Sequence, residues 1–215
     1  MNLEFKNIEL TVVIRAQFNI SIFNQFWLVE KGIFSQIDFQ ENPYTFTPLI
    51  SQGESKFFHL TVVPDRLILN IKPDAEKVQK IISDKTVKIV EELPHLRYTA
   101  IGFNHNYICT SEDNVENVSR ALFFSENKPL SKIFDTPDAR YGAYYSKDFL
   151  GCRLKLDFKP VDYVKDEILE AGIRCNFNYH LQLNDNSKIQ DIIEFLNRWE
   201  EMVKETNIIL KALKD

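Results

Sequence analysis

Polar and apolar residues alternate most cleanly in the second half of the chain. Cys152, Leu154, Leu156 and Phe158 share one parity, and Arg153, Lys155, Asp157 and Lys159 share the other. Cys175, Phe177, Tyr179 and Leu181 stand in the same relation to Arg174, Asn176, Asn178, His180 and Gln182. A period of two sends alternate side chains to opposite faces of a strand. Each segment therefore predicts a strand with one oily and one wet face. The mostly apolar run 8–16 predicts a buried strand, and further strands are predicted at 57–63, 67–71, 97–109 and 141–145, with an edge strand at 44–51 that Pro48 interrupts. Pro64-Asp65-Arg66 is short enough to join two of them as a hairpin. The 159–172 connection is expected to hold one helical turn.

Other segments repeat at helical intervals. Asn19 and Gly32 bracket a helix of about three turns, with Ile22, Phe23, Phe26 and Trp27 inward. Asp74 is expected to cap a helix reaching Glu92, which carries Val78, Ile81, Ile82 and Ile89 on its inner side. Ser111 is expected to cap a third helix, with Val115, Val118 and Leu122 inward. A short helix is expected at 130–134. Ser187 and Gln190 have capping-box spacing ahead of a long final helix, in which Ile189, Ile192, Leu196, Trp199, Val203 and Leu210 form the stripe.

Strand, helix, three strands, helix is thus read twice, over residues 1–94 and 95–215. The prediction is an α+β fold with a mainly antiparallel, internally duplicated sheet. Its helices collect on one face, and the two halves form one compact unit. In element order this resembles the saddle of the TATA-box-binding-protein-like folds. The resemblance is one of architecture and implies no site.

Composition narrows the classes. The 215 residues include 17 Phe and 8 Tyr and are 44% hydrophobic, enough for a sizeable core and unlike a disordered chain. No apolar run approaches the ~18 residues that span a bilayer, and the start lacks a basic segment followed by an apolar one. A cytoplasmic protein without a membrane partner is expected. Asn-, Ile- and Lys-rich usage suggests an AT-rich bacterial or phage genome. A net charge of -5 disfavours non-specific binding to nucleic acid. The six glycines are scattered rather than clustered as a phosphate-cradling loop requires.

Each candidate for chemistry has a plainer structural alternative. Cys109, Cys152, Cys175 and His105 could form a metal site only across strands. Their apolar parity favours core packing, so no metal or cofactor is expected. His105 and Cys109 lie too far apart along one strand for a catalytic pair. The run 135–140 gathers two carboxylates and an arginine, in residues that turns also use. Tyr141, Tyr144, Tyr145 and Phe149 could anchor an interface.

The most informative surface is the wet side of the second-half strands. Arg153, Lys155, Lys159, Arg174, Asn176, Asn178 and His180 occupy it, with Asn104 and Asn106 on the neighbouring strand. His59, Thr61, Asn70 and Lys72 take the matching positions in the first half. The leading expectation is a non-enzymatic protein-interaction or assembly module that self-associates or binds a protein partner. The alternatives are a nucleic-acid-binding saddle using this face, and a small-molecule enzyme with a cleft near His105 or His180. No catalytic residue is nominated.

Overall fold

The computed structural model describes residues 2–72, 78–127, 129–165 and 167–214. Nine antiparallel strands form one sheet in the order β2-β3-β4-β5-β1-β6-β9-β8-β7. They are β1 Glu4–Ala16, β2 Tyr44–Phe46, β3 Ser51–Glu54, β4 Phe58–Val63, β5 Arg66–Ile71, β6 Tyr98–Thr110, β7 Ala143–Phe149, β8 Cys152–Lys165 and β9 Ile168–Gln182. The α-helices are α1 Gln25–Glu30, α2 Gln36–Glu41, α3 Val78–Ile81, α4 Lys88–Glu92, α5 Val115–Phe123, α6 Ile189–Asn197 and α7 Trp199–Ala212. A π-helical segment, Ile82–Val87, joins α3 to α4.

The strand order reads outwards in the same way from the central β1–β6 pair, with β5-β4-β3 on one side and β9-β8-β7 on the other. Twelve paired positions zip β1 to β6, from Glu4 opposite Thr110 to Ala16 opposite Tyr98. The sheet therefore continues unbroken past residue 95. The register slips twice, between Asn7 and Glu9, where Ile8 is the extra residue of a bulge, and between Arg15 and Ala16, where Thr99 is skipped.

Local chemistry sets the turns. Pro64-Asp65 is the two-residue connection between β4 and β5. Leu150 and Gly151 adopt φ of 49° and 76° between β7 and β8, the left-handed pair of a tight hairpin. Asn24 caps α1 through Trp27 N–H, and Ser35 and Asp38 form a reciprocal box on α2.

The core lies between the oily face of the sheet and the helices. Phe103 of β6 stacks on Phe195 of α6 at 4.9 Å and meets the edge of Trp199 at 5.0 Å. Phe158 of β8 stacks on Phe123 of α5 at 5.1 Å. In the first half, Phe58 of β4 packs on Phe34, and the Ser51 hydroxyl donates to the Phe23 carbonyl. All of these contacts lie on the same side of the sheet. Cys175, Phe177 and Tyr179 are 1%, 0% and 0% exposed, whereas Asn176 and Asn178 sit half-buried on the opposite face. Each large side chain removed from water in this way contributes about 1.5–3 kcal/mol.

Several elements differ from the sequence reading. The 44–51 segment splits into β2 and β3 around Pro48, so the first half carries one strand more than expected. The three-turn helix after Asn19 is a 3-10 turn followed by α1, because Asn24 caps a new start and leaves Phe26 exposed. Asp74 lies outside the described residues. Asn114, not Ser111, caps α5, since its side chain accepts from Asn117 N–H. The turn-forming contact at Leu130 is not continued into a helix. The final helix breaks at Arg198, and Asp191, rather than Gln190, closes its start by accepting from Lys188 N–H.

The largest difference is at 159–172, where β8 and β9 continue as a two-stranded arm instead of forming a helical turn. Pairing with β6 stops at Ile173 and pairing with β7 stops at Phe158, so the arm extends past both neighbours. Val161 and Tyr163 alternate there with Asp162, a signal that Pro160 obscured. Val164, Ile168 and Leu169 at its tip are exposed.

Candidate binding face of the sheet

Antiparallel register places directly opposed residues on one face, so the pairings define rows across the sheet. One row runs from β7 to β3 as Ser146, Lys155, Asn178, Asn104, Thr11, Asn70, His59 and Glu54. Every member is polar. A second row holds Asp148, Arg153, His180, Gly102, Val13, Ile68, Thr61 and Gln52. A third holds Tyr144, Asp157, Asn176, Asn106 and Glu9, and a fourth Lys159, Arg174, Ile108 and Lys6. All nine residues nominated from the sequence therefore share this face.

Their hydrogen bonds stay within the sheet. Asn178 donates its amide to Asn104 at 2.5 Å, and Asn106 donates to Glu9 at 2.6 Å. The other oxygen of Glu9 accepts from the Thr11 hydroxyl at 2.9 Å. Arg153 donates to Asp148 at 3.0 Å and to the Ser146 hydroxyl, while Lys159 pairs with Asp157 at 2.7 Å. Lys72 pairs with Glu54 at 2.6 Å and holds that carboxyl below its ordinary range, mainly through the hydrogen bond.

Most carboxylates on the face are thus spent on neighbours. Among the described residues, Lys6, Arg15, Lys155 and Arg174 have no anionic partner. Arg15 stands directly opposite Arg66. The first-half contribution of Lys6, Glu9, Thr11 and Arg15 was missed from sequence because β1 was read as a fully buried strand. The signal was present in the polar parity of 9, 11 and 15.

The remaining candidates scatter. His105 lies on the opposite face, 1% exposed, between the rings of Tyr179 at 5.6 Å and Trp199 at 4.4 Å. Its Nδ1 is 3.3 Å from the Thr206 hydroxyl, which also bonds the Tyr179 hydroxyl at 2.9 Å. Its Nε2 has no partner among the described residues. Burial pushes the imidazole down to about 3, so it is neutral at physiological pH. His180, on the open face, contacts Gln182. The expected cleft near His105 or His180 cannot be shared by the two, since alternation along β6 and β9 puts them on opposite sides of the sheet.

Cys109, Cys152 and Cys175 are buried free thiols, and burial pushes the first two up to about 11. No cluster of three or more metal-binding side chains occurs among the described residues. The 135–140 run is divided too. Asp135 pairs with Arg120, and Arg140 bridges Glu116 at 2.8 Å to Asp162 at 2.9 Å. The stripe on the final helix is covered by the chain's own sheet: Trp199, Met202, Thr206 and Leu210 are buried.

No helix of the described residues is long and apolar enough to cross a membrane. Compared with known proteins, the chain matches no family model and no curated protein sequence.

Proposed function

We propose that the chain is a protein-interaction module of a cytoplasmic assembly and presents the open face of its sheet to an acidic protein surface. One observation carries this reading. In a chain of net charge -5, the open face leaves Lys6, Arg15, Lys155 and Arg174 without carboxylate partners, and its inner carboxylate Glu9 is held by the neutral Asn106 and Thr11. An amide ladder lies between those cations. Amides both donate and accept, and cations set orientation, so the face suits a polar interface rather than an oily one. Three buried thiols without disulfides are in keeping with a reducing compartment.

The test is site-specific photocrosslinking in host cells, with a photoreactive residue at Asn176 and, as control, at Glu201 on the helix side. The expected result is one discrete protein adduct from position 176 only, lost when Lys155→Glu and Arg174→Glu are added. No adduct, or one indifferent to the charge reversals, overturns the proposal.

The row of lysines, arginines and asparagines also favours a second reading, a nucleic-acid contact through phosphates and base edges. Glu9, Asp148, Asp157 and Glu54 on the same face weigh against it. Binding of a labelled 20-mer, single- or double-stranded, that weakens steeply with salt and is abolished by Lys155→Glu with Arg174→Glu would favour this reading over the first.

A further inference from the structure

The two rims of the sheet differ. Strand β2 at one rim has three residues and is flanked by Pro43 and Pro48, which limits strand addition. Strand β7 at the other rim has seven residues, Ala143 to Phe149, with no proline and no register slip against β8. It ends in the tight Leu150-Gly151 turn, so Phe149 and alternate residues before it bond inward to β8. Tyr144, Ser146 and Asp148 accordingly aim their backbone N–H and C=O groups outward, the Ser146 carbonyl also accepting from Arg153 at 3.3 Å. Exposed aromatic surface flanks this edge on both sides: Tyr144 is 62% exposed on the open face and Tyr145 58% on the helix face.

We infer that β7 is a self-pairing edge, on which a second copy of this chain adds its own β7 antiparallel about a twofold axis at Ser146. This contact is independent of what the open face binds. A twofold axis perpendicular to the sheet keeps each face on its own side, so only registers pairing residues of equal parity are allowed. The register centred on Ser146 pairs all seven residues. On the helix side it sets Phe149 opposite Ala143, large against small, and Lys147 opposite Tyr145, cation against ring. On the open side it sets Asp148 opposite Tyr144, acceptor against hydroxyl, and Ser146 opposite itself. A two-residue shift one way stacks Lys147 on Lys147. A shift the other way sets Lys147 opposite Ala143 and forfeits its aromatic partner.

The inward side of β7 is prepared for cover. Lys147, a charge that would otherwise guard an edge, is held by Glu205 of α7. Beside it an apolar groove of about 590 Å³, walled by Leu122, Phe158, Ile208 and Leu213, reaches the same edge at Tyr145. The added strand borders this groove, and the amide face runs on from one subunit into the next.

Sedimentation equilibrium of the full chain tests the contact. The expected species has twice the 25.2 kDa chain mass. Tyr145→Lys, which sets lysine against lysine twice per dimer, should weaken association on the order of 10-fold or more. Tyr145→Glu, which meets the same lysines with opposite charge, should preserve it. A short bismaleimide should join Ser146→Cys into a covalent dimer and leave Thr45→Cys on β2 unjoined, the native thiols being buried. A monomer at all concentrations, a dimer joined through position 45 instead, or equal responses to the lysine and glutamate variants would each overturn the inference.

Discussion

Replacing His105 by phenylalanine should remove a defined part of the protein's sensitivity to acid. The ring is enclosed by Tyr179, Trp199 and Thr206, and phenylalanine has similar shape without the unpartnered Nε2. In the folded chain the imidazole protonates only near pH 3, whereas its ordinary value is 6.5. Between these values the unfolded chain binds a proton that the folded chain refuses. Stability from this group is therefore full above about pH 6.5 and is lost as pH falls towards 3. Integrating from pH 6.5 to 4.5 gives a loss of about 2 kcal/mol. The window is free of the shifted carboxylates. Glu54, Glu92 and Glu116, held low mainly by hydrogen bonds from Lys72, Lys31 and Arg140, release stability only below their ordinary 4.5. Urea unfolding at half-unit pH steps provides the measurement. The wild type should lose about 2 kcal/mol more than His105→Phe across the window, and the remaining histidines, common to both chains, cancel in the difference. At neutral pH the variant should lie within ~1 kcal/mol of wild type, since deleting an unpartnered polar atom offsets lost contacts. Parallel pH profiles for the two chains would refute the buried neutral imidazole.

Three further outcomes are expected. Iodoacetamide should leave Cys109, Cys152 and Cys175 unmodified in the folded protein at pH 8 and alkylate all three in urea, as mass spectrometry would report, because burial both hides the thiols and disfavours their thiolates. Gly142→Ala should destabilise by about 1–3 kcal/mol in denaturant titration, since a Cβ there would stand 2.3 Å from the Phe158 carbonyl oxygen. Arg140→Ala should cost at most ~1 kcal/mol despite its two carboxylate partners, because the bridge between α5 and β8 is solvent-exposed; a loss above 3 kcal/mol would mean that the bridge organises the 135–140 connection.

Side-chain parity made much of this structure readable in advance. Strands β6, β8 and β9 put Phe103, Phe158 and Phe177 inside and the asparagines outside because a two-sided strand has only one register that hides its oily face. Helix starts were less legible. Asn24 and Asn114 displaced Asn19 and Ser111 as the caps that start α1 and α5, and several short polar residues in succession offer competing caps that only packing decides. Strand β1 was half-read, because Val12, Val13 and Ile14 form an unbroken apolar run that masks the parity of Glu9, Thr11 and Arg15. The arm at 159–172 was missed because Pro160 breaks the hydrogen-bonding pattern a strand is expected to keep, yet the proline lies where ladder pairing with β7 has just ended. The open polar face was legible as a list of residues. Which of its cations lack counter-charges depends on cross-strand neighbours far apart in sequence, such as Asn106 and Glu9, and no linear pattern reveals that.

The central β1–β6 pair has a consequence for biosynthesis. Strand β1 leaves the ribosome well before the partner strand that joins Phe5 to Cys109. Until then β1 can pair with β5 on one side only, and its other edge stays open, the kind of segment that holding chaperones recognise. Closing so long a loop is entropically costly and slows the search for the native topology. Once closed, the zipper ties the nascent first half to the second, and neither can melt without pulling a middle strand out of the other.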